Sequence, residues 1–426
     1  VKGLRKIIIP SSVTAISSYA FQNCGDLEEV VLPETLTKIG SYAFNECLKL
    51  NKINFPSSLE EINAFAFENT ALTEVILPEG LTTLGNGVFK DCKNIERVYL
   101  PGTITSLATS SASGGLFNGC ISLTSVEFGE GYSMLASYMF ANCSSLETIV
   151  LPQSASEKFD TSTYMFMNCT KLNSVVLPSD CTIIPTYAFS GCSELANIIV
   201  PDSVVTIDSS AFANSGLTSI KFSSVTKLGS SVFAECQNLV SVELPGTITS
   251  ISSNVFKNCT KLKNVILHEG MTVTGNSMFL GCSSLESIEI PSTVLSINGY
   301  MFQDCENLTE VILHEGLNEI SYMSFYNDSK LSKINLPSTL TKIYYGSFYN
   351  CTSIKKLLIP EGCSLTQMSS AEKSLFGNWT SDQIVCTKDS IYDITGSWGE
   401  ACSYSNYYGY WSNTNATFIF DYSEEN

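Results

Sequence analysis

The sequence predicts a repeat solenoid of the α/β type, and three observations support this fold class. A motif of aromatic residue, small residue, Phe, two polar residues and Cys recurs along the 426-residue chain, as in "SSYAFQNC" at 17–24 and "GSYAFNEC" at 40–47. The Phe of this motif usually recurs every 23 residues. Twelve of the thirteen prolines fall at a single position of the unit. Self-similarity at this period indicates stacked coils rather than several globular domains.

The motif Phe defines a column of sixteen coils and fixes the domain organisation. The column consists of Phe21, Phe44, Phe67, Phe89, Phe117, Phe140, Phe166, Phe189, Phe212, Phe233, Phe256, Phe279, Phe302, Phe325, Phe348 and Phe376. We therefore assign residues 1–376 to the solenoid. Residues 377–426 hold all three Trp and six Tyr, and we assign them to a C-terminal capping segment. A cap is expected because a free solenoid end exposes the core and an unpaired strand edge.

Each coil contains one predicted strand. In the second unit it lies around residues 30–32, where branched and apolar residues alternate. Pro33 ends this strand, because proline has no N–H with which to continue the ladder. Leu36, Ile39 and Phe44 then point inward from a return segment of turns or 3₁₀ helix. At ~4.8 Å per strand, sixteen coils give a horseshoe of roughly 75–80 Å with a parallel sheet on its concave face and the turns on its convex side.

Departures from the period predict loops. The steps that lead to Phe117, Phe166 and Phe376 are 28, 26 and 28 residues long. The first of them contains "LATSSASGG", and we predict a flexible insertion at 108–115. Small and polar residues of this kind are typical of loops.

The cysteines are predicted to be structural. Twelve of the sixteen stand three residues after the column Phe, one per coil, and Thr70, Ser215 or Asp328 replaces Cys in three coils. A zinc site needs ligands that converge tetrahedrally, whereas one Cys per coil forms a straight column. Disulfides between neighbouring coils are disfavoured, because parallel Cβ atoms ~4.8 Å apart exceed the ~3.8 Å of a bridge. We expect buried free thiols with a local backbone role, and no metal or cofactor.

Cys181 and Cys363 stand in a second column, three residues after the Pro position, where other coils have Leu or Val, and two further cysteines belong to neither column. Cys386 and Cys402 form the one plausible disulfide pair of the chain, provided that the protein is extracellular.

Composition excludes several classes of partner. The net charge is −18, which argues against binding nucleic acid or adsorbing to anionic membranes. No apolar run approaches the ~20 residues of a transmembrane helix. The chain opens inside a repeat without a signal peptide, which we interpret as truncation of a longer protein.

No motif for catalysis is present. The sequence lacks nucleophile-elbow, metalloprotease, dinucleotide and phosphate-loop signatures. His268 and His314 both stand in the Pro position of their coils, and we predict that they are surface substitutions at the strand end. A glutamate often follows the Pro position, at Glu34, Glu79, Glu269, Glu315 and Glu361. These glutamates predict a solvated turn or, alternatively, a cation-binding stripe.

The outward position of the predicted strands is the candidate binding surface. We call this set the outward row; it reads Ile8, Val31, Asn54, Ile76, Tyr99, Glu127, Val150, Val176, Ile199, Lys221, Glu243, Ile266, Glu289, Ile312, Asn335 and Leu358. Its apolar members reflect either the strand propensity of branched residues or a contact surface for a partner. If a partner binds there, we expect contacts with Arg97, Tyr99, Val150, Val176 and Ile199, because Arg and Tyr are enriched at binding hot spots.

The unit Cys-x-x-Leu-x-x-Val-x-Leu-Pro-x-x-Leu-x-x-Ile-Gly-x-x-Ala-Phe resembles the BspA-like, or treponemal-type, leucine-rich repeat family over residues 1–376. The resemblance implies a leucine-rich repeat fold and a secreted or cell-surface bacterial or protist protein without enzymatic activity. Some members of this family are implicated in adhesion, and the family has no catalytic motif to carry over.

We therefore expect a monomeric, adhesin-like module that binds a protein or glycan of a host or neighbouring cell through the solenoid face. Two alternatives remain open. In the first, the solenoid is a structural spacer that displays other domains. In the second, the aromatic C-terminal segment binds glycans.

Overall fold

A computed structural model describes residues 3–108, 114–366, 375–379, 384–387 and 417–420. For 384–387 and 417–420 the description covers the backbone alone. Most of the predicted insertion, the side chain of Cys386, Cys402 and most aromatic residues of the C-terminal segment lie outside the described residues. The chain divides into two compact units, Val1–Leu217 and Thr218–Asn426.

In the first unit, the predicted strands form a front ladder in which every pairing is parallel. Its strands are β1 (Lys6–Ile8), β3 (Glu29–Val31), β5 (Lys52–Ile53), β7 (Glu74–Ile76), β9 (Arg97–Leu100), β11 (Ser125–Phe128), β12 (Thr148–Val150) and β13 (Ser174–Val176). They form the sheets β1-β3-β5, β7-β9-β11 and β12-β13. Each residue pairs with its counterpart one coil away, as Ile7 does with Val30. The register of the sheet therefore follows the sequence repeat.

The predicted strand around Ile199 is absent, since residues 195–200 form no strand. The inward residues of this coil, Ile198 and Val200, are half-buried, whereas their counterparts Val175 and Leu177 in the preceding coil are buried. The segment is therefore not held against the core in the position that pairing with β13 requires.

The return segments carry a second parallel ladder in addition to the predicted turns. Its strands in the first unit are β2 (Ala15–Ile16), β4 (Lys38–Ile39), β6 (Glu61–Ile62), β8 (Thr83–Leu84), β10 (Ser106–Leu107), β14 (Ile183–Ile184) and β15 (Thr206–Ile207). The first five form one sheet, and β14 pairs with β15. Each of these strands places a branched residue or Leu, such as Ile39, in the core.

The second ladder is interrupted between β10 and β14. The 26-residue step that leads to Phe166 contains a 3₁₀ helix (Gln153–Ala155) and the helix α1 (Ser156–Thr161). Ala155 and Phe159, four residues apart, are the buried residues of these helices, so they share one inward face.

The second unit repeats the same two ladders. Its front strands are β16 (Ser219–Lys221), β18 (Ser241–Leu244), β20 (Asn264–Leu267), β21 (Ser287–Glu289), β23 (Glu310–Ile312), β25 (Lys333–Ile334), β27 (Lys356–Ile359), β29 (Ile384–Thr387) and β30 (Thr417–Phe420). Its second-ladder strands are β17 (Lys227–Leu228), β19 (Ser250–Ile251), β22 (Ser296–Ile297), β24 (Glu319–Ile320), β26 (Lys342–Ile343) and β28 (Ser364–Leu365). The last front sheet, β27-β29-β30, extends beyond Phe376 into the predicted capping segment.

The column phenylalanines form the centre of the core. In the first unit, each ring stacks on its neighbour one coil away, with centroids 5.2–5.8 Å apart. In the second unit, the corresponding distances from Phe233 to Phe376 are 5.3–6.3 Å. All of these rings are fully buried except Phe21, in the first coil. Burial of a Phe in each coil supplies a repeated hydrophobic contribution to stacking.

The residues around each column Phe explain the rest of the motif. In most coils the positions two residues before and two residues after the Phe have positive φ, for example Tyr164 (φ 59°) and Asn168 (φ 60°) in the coil of Phe166. The later position is usually Asn, Asp or Gly, the residues that adopt left-handed backbone most readily. Tyrosines at the earlier position stack between coils, as Tyr138 does on Tyr164 at 4.5 Å.

Candidate binding surface

The column cysteines connect neighbouring coils by hydrogen bonds. In ten coils the thiol donates to the carbonyl oxygen of the column Phe one coil earlier, at 2.9–3.2 Å; the donors are Cys47, Cys92, Cys120, Cys143, Cys169, Cys192, Cys259, Cys282, Cys305 and Cys351. The same carbonyl also accepts a backbone N–H from its own coil, as Phe21 does from Cys24 at 3.2 Å. The expected local backbone role is therefore a bond between coils.

Burial holds ten of the column thiols in their neutral form. All fourteen described cysteines are free and buried. Burial raises the pKa of Cys92 to about 11 and the pKa of Cys47 to about 12. A buried neutral thiol is a poor nucleophile and a poor metal ligand. Within the described residues, no group of three or more His, Cys, Asp or Glu side chains is placed to hold a metal ion.

Two of the column positions without Cys contact the column cysteine of a neighbouring coil. The Thr70 hydroxyl lies 3.2 Å from the Cys92 sulfur. Asp328 is fully buried, and one of its carboxyl oxygens accepts the N–H of Cys305 at 2.9 Å. Its other oxygen has no hydrogen-bond partner among the described residues, and burial holds the pKa of this carboxyl well above its usual range.

The two histidines and the glutamates of the turns contact protein groups in neighbouring coils. His268 Nε2 lies 2.8 Å from Glu243 Oε1, and His314 Nε2 lies 2.8 Å from Glu289 Oε1, in exposed positions. The Glu315 carboxylate accepts the backbone N–H and the hydroxyl of Ser338, both at 2.9 Å, which lowers the pKa of Glu315. Glu34 and Glu269 accept the corresponding hydrogen bonds from Ser57 and Ser292 of the next coil. These carboxylates therefore stabilise turns.

The outward row has the predicted orientation in β9. Val98 and Leu100 are buried, Arg97 is exposed and Tyr99 is half-buried. The Tyr99 hydroxyl donates a hydrogen bond to the Glu79 carboxylate, and this bond raises the pKa of Tyr99. The ring is thus fixed at the surface by a carboxylate from the preceding turn.

The predicted binding residues fall into two groups. Arg97 and Tyr99 lie on β9, whereas Val150 and Val176 pair directly across β12 and β13, with Ile199 in the following coil. The last three expose 64%, 47% and 86% of their surface. They form an apolar patch. Strand propensity alone does not explain these apolar residues, because Ile199 is not in a strand.

A cleft separates these two groups and was not predicted. It lies between β11 and β12, has a volume of about 630 Å³ and is lined by residues 124–129, 131–132 and 148–154. Val126 and Phe128 are half-buried, although their counterparts Val98 and Leu100 in the preceding coil are buried. The cleft therefore opens part of the core to solvent.

Irregularities in two coils accompany the cleft. Gly129 stands in the Pro position of its coil, and Tyr132 stands where most other coils have Leu, Ile or Val. Tyr132 is fully buried, and its hydroxyl has no hydrogen-bond partner within the described parts of the chain. The next coil carries α1 in place of a second-ladder strand. These departures were visible in the sequence, but their spacing indicated only a loop.

The helices of the structure are short. Within the ranges that the structure describes, no helix has the length and apolar character that crossing a bilayer requires.

Comparison with known proteins identifies the repeat. The model of a family described as "BspA type Leucine rich repeat region (6 copies)" matches residues 2–114, 110–162, 160–286 and 272–404. A leucine-rich repeat protein from Bacteroides ovatus is 28% identical, with 84% of this chain and 88% of that chain covered and a TM-score of 0.66. A leucine-rich cell surface protein from Faecalibacterium prausnitzii is 23% identical, with 86% and 79% covered and a TM-score of 0.34. A search of curated proteins gave no match.

The similarity to the Bacteroides ovatus structure confirms the fold class expected from the repeat. The family model covers most of the sequence, including all sixteen column positions. The chain belongs to the BspA-type leucine-rich repeat family.

Proposed function

We propose that this protein is a non-enzymatic, adhesin-like module that binds a macromolecule of a host or neighbouring cell at the bacterial surface. The observation that carries the proposal is the exposed apolar patch of Val150, Val176 and Ile199. Large side chains exposed on adjacent coils cost solvation free energy unless a partner covers them, so such patches usually mark interaction sites.

A surface location is supported by the family to which the chain belongs. The strongly acidic composition also favours a protein partner over nucleic acid or an anionic membrane. The fourteen described cysteines are buried, which makes their thiols poorly accessible to a substrate. The chemistry of these groups thus favours binding over catalysis.

A binding screen tests the proposal. The purified 426-residue protein is assayed against immobilised matrix proteins and glycans, together with the variants Tyr99→Asp and Val176→Asp. We expect saturable binding of at least one macromolecule, and weaker binding by Val176→Asp because a charge is then placed in the apolar patch. A screen without any bound macromolecule, or binding that survives both substitutions, contradicts the proposed surface.

A further inference from the structure

The apolar patch of Val150, Val176 and Ile199 is the longest apolar run in the outward row. Elsewhere in the row, at most two apolar residues follow one another before a polar or charged residue interrupts them. The column Phe rings of these three coils are 5.5 and 5.4 Å apart, and paired strands lie about 4.8 Å apart. The patch therefore runs across the strands for about 10–11 Å.

The rows on both sides of the patch carry no charge in these coils. Two residues before each patch residue stand exposed side chains with a hydroxyl or amide group, and two residues after each stands a proline; these are Thr148, Ser174 and Asn197, and Pro152, Pro178 and Pro201. We call these two rows and the patch the uncharged block. Because a strand rises about 3.3 Å per residue, the block is about 13 Å wide along the strands.

The first of these rows is charged in other coils. In the first five coils it reads Lys6, Glu29, Lys52, Glu74 and Arg97, and the Lys6 ammonium contacts the Glu29 carboxylate at 2.8 Å. A ligand placed over those coils meets charged groups, whereas over the uncharged block it meets hydroxyl, amide and apolar groups. The block therefore suits a ligand whose contact surface is apolar at its centre and uncharged at its sides.

The dimensions of the block match those of an α-helix that lies on the sheet face, across the strands. In a helix, residues i, i+4 and i+7 share one face, and residues i and i+7 are about 10.5 Å apart along the axis. This distance equals the length of the patch over its three coils. A helix with its side chains is about 10–12 Å in diameter, which fits the width of the block. Apolar residues at i, i+4 and i+7 would thus contact Val150, Val176 and Ile199 in turn.

Other ligands match the block less well. An extended chain that crosses the strands repeats the side chains of one face about every 6.6 Å, so its third side chain lies about 13 Å from the first and passes beyond Ile199. Sugar rings bind chiefly by stacking on flat aromatic rings, and the block contains no aromatic residue. The spacing and the chemistry of the block therefore favour a helix.

Two carboxylates at one end of the block indicate the direction of the helix. Glu127 precedes Val150 in the outward row, one coil earlier, and Glu147 directly precedes Thr148. Both side chains are exposed, and neither takes part in the ion pairs found among the described residues. A Lys or Arg at i−4 would lie over Glu127, and the positive end of the helix dipole favours the helix N-terminus at this end.

From this geometry we propose that the uncharged block binds an amphipathic α-helix of a partner protein. The helix lies across the strands with its N-terminus towards Glu127, and it carries Lys or Arg at i−4 and apolar residues at i, i+4 and i+7. Burial of apolar surface supplies most of the affinity, as in other cases in which one face of a helix is recognised. This inference rests on the proposed function and names the class of partner for the same surface.

The test is calorimetric titration of the full chain with the acetylated, amidated peptide Ser-Lys-Ala-Gln-Ala-Leu-Ala-Gln-Ala-Leu-Ala-Gln-Leu-Ala-Gln-Ala. We expect saturable binding, and circular dichroism should show that the peptide gains helix in the complex. In a matched isomer, the second and third Leu exchange places with the second and fourth Gln, which spreads the leucines around the helix. This isomer should bind at least tenfold more weakly.

Three results would overturn the proposal. The first is absence of binding at peptide concentrations up to about 1 mM. The second is equal binding of the isomer. The third is tighter binding of an extended peptide, acetylated and amidated Val-Thr-Val-Thr-Val-Thr, or of the neutral oligosaccharide cellohexaose.

Variants of the protein locate the helix on the block. Ile199→Asp and Val176→Asp should each weaken binding of the peptide at least tenfold, and Ile199→Asp disturbs no strand because Ile199 lies outside the strands. Ile312→Asp, in the same row of the second unit, should change binding less than twofold, and thermal unfolding checks that all three variants are folded. Equal binding by wild type and Ile199→Asp would overturn the proposed site.

Glu127→Gln tests the direction of the helix. It should weaken binding of the peptide about two- to fivefold, the range of an exposed ion pair, and should leave binding of a peptide with Gln in place of its Lys unchanged. Equal losses for the two peptides would contradict the placement of the N-terminus.

Competition separates this inference from the proposed function. A macromolecule whose binding is lost in Val176→Asp, but which the peptide does not displace, would leave the proposed function intact and overturn this inference. Failure of the proposed function would instead give a screen without any bound macromolecule, or binding that survives Val176→Asp.

Discussion

The indole N–H of Trp379 donates a hydrogen bond to the carbonyl oxygen of Phe348 at 3.0 Å. Trp379 stands three residues after Phe376, which is the position of the column cysteines. Its bond to the Phe of the preceding coil is the one that the cysteine thiols make elsewhere. Its ring is buried and lies 4.8 Å from the ring of Phe376. The last position of the column thus keeps the donor and adds a large aromatic ring.

Substitution of Trp379 separates these two contributions. Trp379→Phe keeps most of the ring and removes the donor, so we expect a loss of about 0.5–1.5 kcal/mol in unfolding free energy. Trp379→Ala also removes buried surface, and the expected loss rises to about 3–5 kcal/mol. Urea unfolding measures both, with hydrogen exchange at β27 as a local readout. Equal stability of Trp379→Ala and the wild type would show that neither the hydrogen bond nor the buried ring of Trp379 stabilises the last coil.

The column thiols should be unreactive in the folded protein. Burial raises the pKa of ten of them, to about 12 for Cys169, so these thiols form little thiolate at pH 8. Titration with a thiol reagent should give almost no reaction in native protein and at least fourteen thiols after denaturation without reductant. Rapid labelling of the native protein, or fewer than fourteen thiols after denaturation, would contradict the assignment.

Asp328 should make stability depend on pH. Its pKa in the folded protein is raised by burial, so the folded state binds the proton more tightly than the unfolded chain does. Its contribution to stability is therefore complete below the unfolded pKa of about 3.9 and decreases as pH rises towards the folded pKa. Asp328→Cys restores the common residue and should add about 1–3 kcal/mol at pH 7.

This gain should shrink as the pH falls towards 4, because protonated Asp328 carries no charge to desolvate. Urea unfolding at pH 7 and pH 4 measures the difference, and Glu306→Gln, at an exposed position, serves as the control for loss of a carboxylate. A gain of the same size at both pH values would rule out titration of Asp328 as its cause.

The left-handed position after the column Phe should tolerate Gly better than Ala. Asn168 has φ 60° and donates from Nδ2 to the Asn142 side-chain oxygen at 3.0 Å. Asn168→Ala loses this bond and places a less tolerant residue in the left-handed region, at a cost of about 1–2 kcal/mol. Asn168→Gly loses the hydrogen bond but adopts the left-handed backbone without strain, so thermal or urea unfolding should show a smaller loss of stability. An alanine variant as stable as the glycine variant would contradict this explanation.

Much of the fold could be predicted because each coil repeats the same physical constraints. Pro33 and its counterparts end the strands, and the alternation around Tyr99 follows from strand geometry. The coils of Thr70 and Ser215 lack Cys and are also shorter, which indicated a local backbone role at the turn. The thiols instead bond to a backbone carbonyl of the neighbouring coil. What spacing could not show was the atom that each thiol contacts, since the partner lies one coil away.

The second ladder and the cleft were not predictable for a different reason. A strand of two residues such as Lys38–Ile39 is too short to produce a periodic pattern, so the turn-rich segment concealed it. The cleft depends on how the coil of Tyr132 and the coil of α1 fit together. Local sequence preferences describe each coil separately and do not report a hydrogen bond that fails to form between two of them.

The central claim is that a macromolecule binds the outward face of the first unit at the patch of Val150, Val176 and Ile199. The most direct measurement is the binding isotherm of the macromolecule found in the screen, for wild type, Val176→Asp and Ile312→Asp. Ile312 occupies the same row in the second unit and is similarly exposed: it exposes 42% of its surface, and Val176 exposes 47%. We predict at least tenfold weaker binding for Val176→Asp and an unchanged isotherm for Ile312→Asp. Three indistinguishable isotherms would contradict the account.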